Sequence, residues 1–128
     1  MTNRKSIYLD DFGHKNPIPA ACEIDGMLVS GIIYGLDTRT GAPAETMDEQ
    51  CRLMFRHFRN ILQASNAGPG DVLKLNVFLK DRNQREALNR EWVALYPDPD
   101  NRPVRQAMQA DLDGGKLIQC DFLARIAR

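Results

Sequence analysis

Asn101-Arg102-Pro103-Val104-Arg105-Gln106-Ala107-Met108-Gln109-Ala110-Asp111-Leu112 is the stretch on which the fold turns. Read with a period of two it is a strand. Val104, Met108, Ala110 and Leu112 fall on one face, and Arg105, Ala107, Gln109 and Asp111 on the other. Arg105 starts this strand, just behind a proline-stiffened loop. A guanidinium fixed there is well placed to meet an anion, because its planar fork of donors matches a carboxylate bidentately. The plainer alternative is an arginine on a solvated strand face, or one paired with Asp111 or Asp121. From this stretch alone the plainer reading is preferred.

The next residues decide what Arg105 faces. Asp113-Gly114-Gly115 turns the chain into a last strand, Lys116 to Ile126, in which Ile118, Cys120, Phe122, Ala124 and Ile126 alternate with Leu117, Gln119, Asp121, Leu123 and Arg125. A three-residue loop closing Leu112 onto Lys116 puts Arg105 and Gln119 on one sheet face; a two-residue Gly114-Gly115 turn puts them on opposite faces. The three-residue form is expected, since glycine at a left-handed bulge position is common in such hairpins.

Upstream, Val72 to Lys80 alternates as a strand, with Leu73, Leu75, Val77 and Leu79 assigned inward. A helix is expected from about Asn83, with Glu86 three residues behind a capping side chain, a buried stripe of Leu88, Trp92, Leu95 and Tyr96, and Pro97 as its stop. Farther back, Thr46-Met47-Asp48-Glu49 has capping-box form. Met47, Cys51, Met54, Phe55, Phe58, Ile61 and Leu62 follow at helical spacing. That long helix should stop near Asn66, before Gly68 and Pro69. Its outer face is read as carrying Arg52, Arg56 and Arg59 with His57 beside them, a solvated stripe. Asp25-Gly26 marks a hairpin between Ala20–Ile24 and Met27–Ile33. Gly31 in its second strand marks either a bulge or a place where a ligand approaches closely. Lys5 to Leu9 is a weak first strand.

Strands, long helix, strand, second helix and two strands make an α+β layer, with both helices on one face of a mixed sheet. Residues 1–128 read as a single domain. The uncovered face mixes polar and apolar side chains, which favours oligomerisation. Lysine plus arginine number 17 and aspartate plus glutamate 17, so the formal charge is zero, which argues against nucleic acid or an anionic membrane as main partner. Cys22, Cys51 and Cys120 lack metal-ligand spacing and read as small, mostly buried thiols, so neither a metal nor a cofactor is implied. No apolar run spans a membrane, and a cytoplasmic protein is expected.

From about Pro17 to Ala124 the chain resembles the RidA/YjgF family. The resemblance rests on Val29-Ser30-Gly31, Thr40-Gly41, Gln50 and Asn60 on the long helix, Gly70-Asp71-Val72, Asn89 on the second helix, and Pro103-Val104-Arg105, which looks like the family's Pro-Ala-Arg. It implies a chorismate-mutase-like fold and a homotrimer with ligand clefts between subunits. It also implies hydrolysis of enamines and imines such as 2-aminoacrylate and 2-iminopropanoate to 2-keto acids and ammonia. By the same resemblance Arg105 holds the substrate carboxylate, and the backbone near Gly31 and Ala107 cradles the ligand. The position of the family's water-handling glutamate falls on Gln119, and Asn89 joins the binding residues.

Three departures stand out. The family's Gly-Pro-Tyr reads Asn16-Pro17-Ile18, its Glu-Ile-Glu reads Gln119-Cys120-Asp121, and its Gln after Ser-Gly is Ile32. An amide orients water but does not take its proton as a carboxylate does. Asp121, two residues on and on the same face, and His14, just before the altered segment, are the candidates to stand in. Three readings follow: a deaminase, with Arg105 and Gln119 as catalytic residues and Gly31, Ile18, Ala107, Asn89, Asp121 and His14 lining the cleft; a trimeric binding module for small 2-keto acids; and, disfavoured by the neutral charge, the endoribonuclease of the family's older label.

Overall fold

The structure, a computed structural model, describes residues 3–127; residues 1, 2 and 128, at the ends of the expected domain, lie outside the described residues. Asp25 (φ 51°) and Gly26 (φ 85°) both sit at positive φ, as a two-residue hairpin turn requires, and join β2 (Ala21–Ile24) to β3 (Met27–Ser30). β1 (Lys5–Ile7) extends the hairpin outward. The second hairpin strand then breaks: β3 pairs with β9 (Ile118–Arg125) at Val29↔Leu123, whereas the next piece, β4 (Ile33–Tyr34), pairs with it at Ile33↔Cys120. The extra residue is a bulge around Gly31, closed by Ser30 Oγ, which accepts the Phe122 N–H at 2.9 Å. A small ribbon of β5 (Leu36–Asp37) and β6 (Ala42–Pro43) leads to the long helix.

α1 spans Met47–Ala64, as its periodicity predicts. Thr46 Oγ1 accepts the Glu49 N–H at 3.2 Å, but the Glu49 carboxylate turns to Arg52 (2.8 Å), so only half of the expected capping box forms. Asn66, at φ 56°, ends the helix region. His57 is not on the charged stripe. It is buried (2% exposed), bonded through Nε2 to the Leu36 carbonyl at 2.8 Å and stacked on Phe12 at 4.6 Å. The ribbon and the Phe12 loop cover a helix face that would otherwise be solvated.

β7 (Val72–Leu79) is central. It pairs in parallel with β8 (Val104–Gln109) and antiparallel with β9, giving the order β1-β2-β3-β9-β7-β8. The expected β8–β9 hairpin is therefore corrected: β7 lies between them. A parallel pair needs a crossover, here α2 (Glu86–Leu95), and the chain must then cross the end of β7 to reach β9. Ala110 N–H donates to Leu79 and Lys80 N–H to the Leu117 carbonyl, so the crossing segment brackets that end. Its turn is the two-residue form, with Gly114 and Gly115 both at positive φ and Lys116 N–H bonded to Asp113. Two smaller corrections follow. α2 starts at Glu86 with no side-chain cap, because Asp81 takes the Asn83 N–H in a separate turn. Leu73 is 51% exposed, because a bulge between Val72 and Lys74 shifts it out.

Register settles the faces. Arg105, Leu75 and Phe122 form one cross-strand row, and Met108, Phe78 and Gln119 another. Leu75 and Phe122 are core residues, with Phe122 edge-on to Phe58 of α1 at 5.2 Å, so Arg105 is on the helix-covered side and Gln119 on the open side. The expectation that the two share a face fails. The open face carries Met27, Val29, Val104 and Met108 exposed beside Asn76, Gln106 and Asp121. No described helix is long and apolar enough to cross a membrane.

Gln50 locks these parts together. It is 1% exposed; its Nε2 donates to the carbonyls of Ala44 (2.7 Å) and Gly115 (3.0 Å), and its Oε1 accepts the Leu117 N–H at 2.8 Å. Gly35 packs so closely on the Gln50 backbone that a methyl there would collide with it. Gln50→Leu strands three backbone groups and should cost about 3 kcal/mol, lowering the melting temperature on the order of 10 °C. The exposed Gln63→Leu should change it by no more than about 0.5 kcal/mol. Thermal melts of the two variants side by side test this; equal melting temperatures would show that Gln50 is no lock.

Candidate functional site

Arg105 is the best-formed candidate. It lies on edge strand β8 beneath α2, whose Asn89 and Trp92 present one face to it. Its Nη2 donates to Asn89 Oδ1 at 2.8 Å, and its guanidinium carbon stands 5.1 Å from the Trp92 ring centroid. Its Nη1 is closed off from solvent with no partner. Neither carboxylate named in the plainer reading pairs with it: Asp121 is on the opposite face and accepts from Asn76 at 2.8 Å, and Arg105 has no ion pair among the described residues. Burial, and after it the like charge of Arg85, pushes the Arg105 guanidinium below its ordinary range. The Arg105 guanidinium is thus partly desolvated, with spare donors and a second cation nearby, an arrangement chemically suited to holding an anion. The stacking partner was legible only as core. Arg85, Asn89 and Trp92 recur at i, i+4 and i+7, a spacing that puts all three on one helix face.

The remaining site residues fall in other places. Ala107 follows Arg105 on the same face. Gln119 lies half-buried on the open face, in register with Phe78 and Tyr34, and Asp121 is beside it, as alternation predicts. Gly31, Ile18 and His14 belong to the far side of the sheet. Gly31 N–H is bonded to the Ala20 carbonyl, and a β-carbon on Gly31 would stand 3.7 Å from His14 Nε2. Ile18 is 47% exposed. Three strand spacings, about 14 Å, separate β3 from β8. A single chain thus brings Arg105, Asn89 and Ala107 together, and separately Gly31 and His14. It does not join these groups to each other or to Gln119. Burial pushes the Cys51 thiol up to about 12 and Cys120 well above its usual value.

Solved structures share this architecture. RidA from an Antarctic Psychrobacter superposes with a TM-score of 0.87 at 24% identity, over 95% of this chain and 99% of that one. The YjgF gene product of E. coli gives 0.84 at 20%, over 94% and 98%. Among curated proteins, the 2-iminobutanoate/2-iminopropanoate deaminase of Salmonella typhimurium is 27% identical over 82 residues, 64% of each chain. The mitochondrial protein mmf2 of Schizosaccharomyces pombe is 30% identical over 59% of this chain and 63% of its own. These alignments reach just under two thirds of either relative's length. The sequence model described as Endoribonuclease L-PSP matches residues 15–123, and with the fold and Pro103-Val104-Arg105 in place the chain belongs to that family, the RidA/YjgF family.

Proposed function

We propose that the protein hydrolyses small carboxylate-bearing imines and enamines, with Arg105 clamping the carboxylate. The observation that carries this reading is the half-buried guanidinium whose one hydrogen bond goes to Asn89 and whose Nη1 has no partner. The deaminase name of the Salmonella relative supports the substrate class. In the reaction water adds to the C=N carbon, the nitrogen takes up protons and leaves as ammonia, and a 2-keto acid remains. In this reading Gln119 orients that water. The cleft is completed by a second copy in a homotrimer, whose neighbour supplies Gly31, Ile18 and Gln119. That arrangement accounts for the distance between these residues and Arg105 within one chain, and for the apolar side chains on the open face. The second reading, a trimer that binds 2-keto acids without turnover, is favoured by the amide at Gln119, which has no proton-accepting oxygen of carboxylate basicity. Action on RNA fits poorly with a formal charge of zero.

Light scattering should give three times the 14.5 kDa chain mass; a monomer would remove the shared cleft. Arg105→Ala should weaken binding of pyruvate or 2-oxobutanoate about tenfold to a hundredfold, the worth of a contact of about 1.5–3 kcal/mol, in calorimetric titrations. Unchanged affinity would mean that the anion sits elsewhere. With an amino-acid oxidase generating 2-iminopropanoate and semicarbazide competing for it, wild-type hydrolysis should be slow. Gln119→Glu should accelerate it at least about tenfold, since a missing general base costs about a hundredfold or more. Brisk native turnover that Gln119→Glu leaves unchanged or lowers would put the base elsewhere, first at Asp121 or His14, and would exclude the binding-module reading.

A further inference from the structure

The carboxylate of a simple 2-keto acid answers one cation, and Arg105 has a second beside it. Arg85 stands at the start of α2, four residues before Asn89 and seven before Trp92, on the helix face that those two turn to Arg105. α2 connects two parallel strands and so runs back against β8, which places this turn beyond Arg105 toward the end of the strand. The contact at that end agrees: the Arg82 N–H, just ahead of α2, donates to Gln109 Oε1 at 3.1 Å. Arg105, Ala107 and Gln109 share one side of β8, so the small Ala107 side chain lies between the two arginines. Arg85 is half-buried and anchored, its Nε donating to the Arg82 carbonyl at 2.7 Å, which leaves the donors of both terminal nitrogens to spare. No carboxylate pairs with it among the described residues. Glu86, next in the chain, is four residues before Arg90 and lies on that face of the helix instead.

We infer that the molecule held at Arg105 carries a second carboxylate, held by Arg85, so that the substrate class is the imines of four- and five-carbon 2-oxo dicarboxylic acids. This inference rests on the reading of Arg105 as a carboxylate clamp and names what that site selects. Four residues of helix rise about 6 Å, a step suited to the two ends of a short diacid lying over Ala107. The charge balance favours two anionic groups over one. Two half-buried guanidinium groups near each other repel, and a single carboxylate on Arg105 leaves Arg85 unanswered; a second carboxylate neutralises both. An apolar or amide end to the substrate gains no such contact. The hydrolysis itself is unchanged: water adds to the C=N carbon, the nitrogen leaves as ammonia, and a 2-oxo dicarboxylate remains. Arg85 takes no part in that step. It is a specificity-determining residue, acting on the end of the substrate away from the reacting carbon.

Calorimetric titrations with 2-oxoglutarate and with 2-oxopentanoate, which has the same five-carbon chain but one carboxylate, test this. The native protein should bind 2-oxoglutarate at least about tenfold more tightly, as an added charge-assisted contact requires. Arg85→Gln should erase that preference by weakening 2-oxoglutarate, Arg85→Lys should keep most of it, and Arg105→Ala should weaken both ligands. Melting temperatures control for folding. If Arg85→Gln does not fold, the native preference and its retention in Arg85→Lys decide. Equal native affinities, with both lowered by Arg105→Ala, would overturn the second carboxylate and leave the Arg105 clamp standing. Equal weakening of both ligands in Arg85→Gln would mean that the two arginines share one carboxylate, and would overturn the inference too. Affinities that Arg105→Ala leaves unchanged would overturn the clamp itself and this inference with it.

Discussion

The parallel pairing of β8 with β7 governs the rest of this molecule. In an otherwise antiparallel sheet it requires a crossover, and the crossover is α2. Because α2 returns the chain to the outside of β7, Arg105 ends up on an edge strand directly under Asn89 and Trp92. Because β9 takes the other side of β7, the link between β8 and β9 must run over the end of that strand. The link is held there by backbone bonds from Ala110 and Lys80 and by the buried amide of Gln50. One pairing decision thus sets the surroundings of Arg105, its separation from Gln119, and the need for a buried polar residue on α1.

The features legible in the sequence were those decided locally. Asp25-Gly26 makes its hairpin because the turn needs two residues at positive φ, and α1 follows its apolar spacing from Thr46 to Asn66. The adjacency of β8 and β9 was misread because a glycine-rich turn between two strands looks the same whether the strands pair or a third lies between them. The same error put Arg105 and Gln119 on one face. His57 was misplaced for a different reason. It stands three residues after Met54 and four before Ile61, so its burial agrees with the helical period; what covers it, the Leu36 carbonyl and Phe12, comes from distant segments with no pattern of their own.

The candidate site shows the same division. Arg105 was identifiable from its Pro-Val-Arg setting, but its lack of a carboxylate partner among the described residues is a tertiary fact, and it is the fact that leaves the guanidinium available to an anion. Trp92 was readable as a core residue and is one. It is also the aromatic surface under the guanidinium, a second use that periodicity does not reveal.

Charge balance has a narrower meaning than the totals suggest. Several of the acidic and basic side chains neutralise each other on the surface: Arg39 with Asp37, Arg52 with Glu49, and Arg90 with Asp48. Two of these pairs join near neighbours in the chain, and all three leave at least one partner largely exposed, so they add little to stability. Their consequence is electrostatic. With carboxylates committed there, the Arg105–Arg85 region keeps a local positive field while the sum over the chain stays zero. A neutral total argues against long polyanions, which reward an extended basic surface, and does not argue against a small anion, which needs two or three donors in one place.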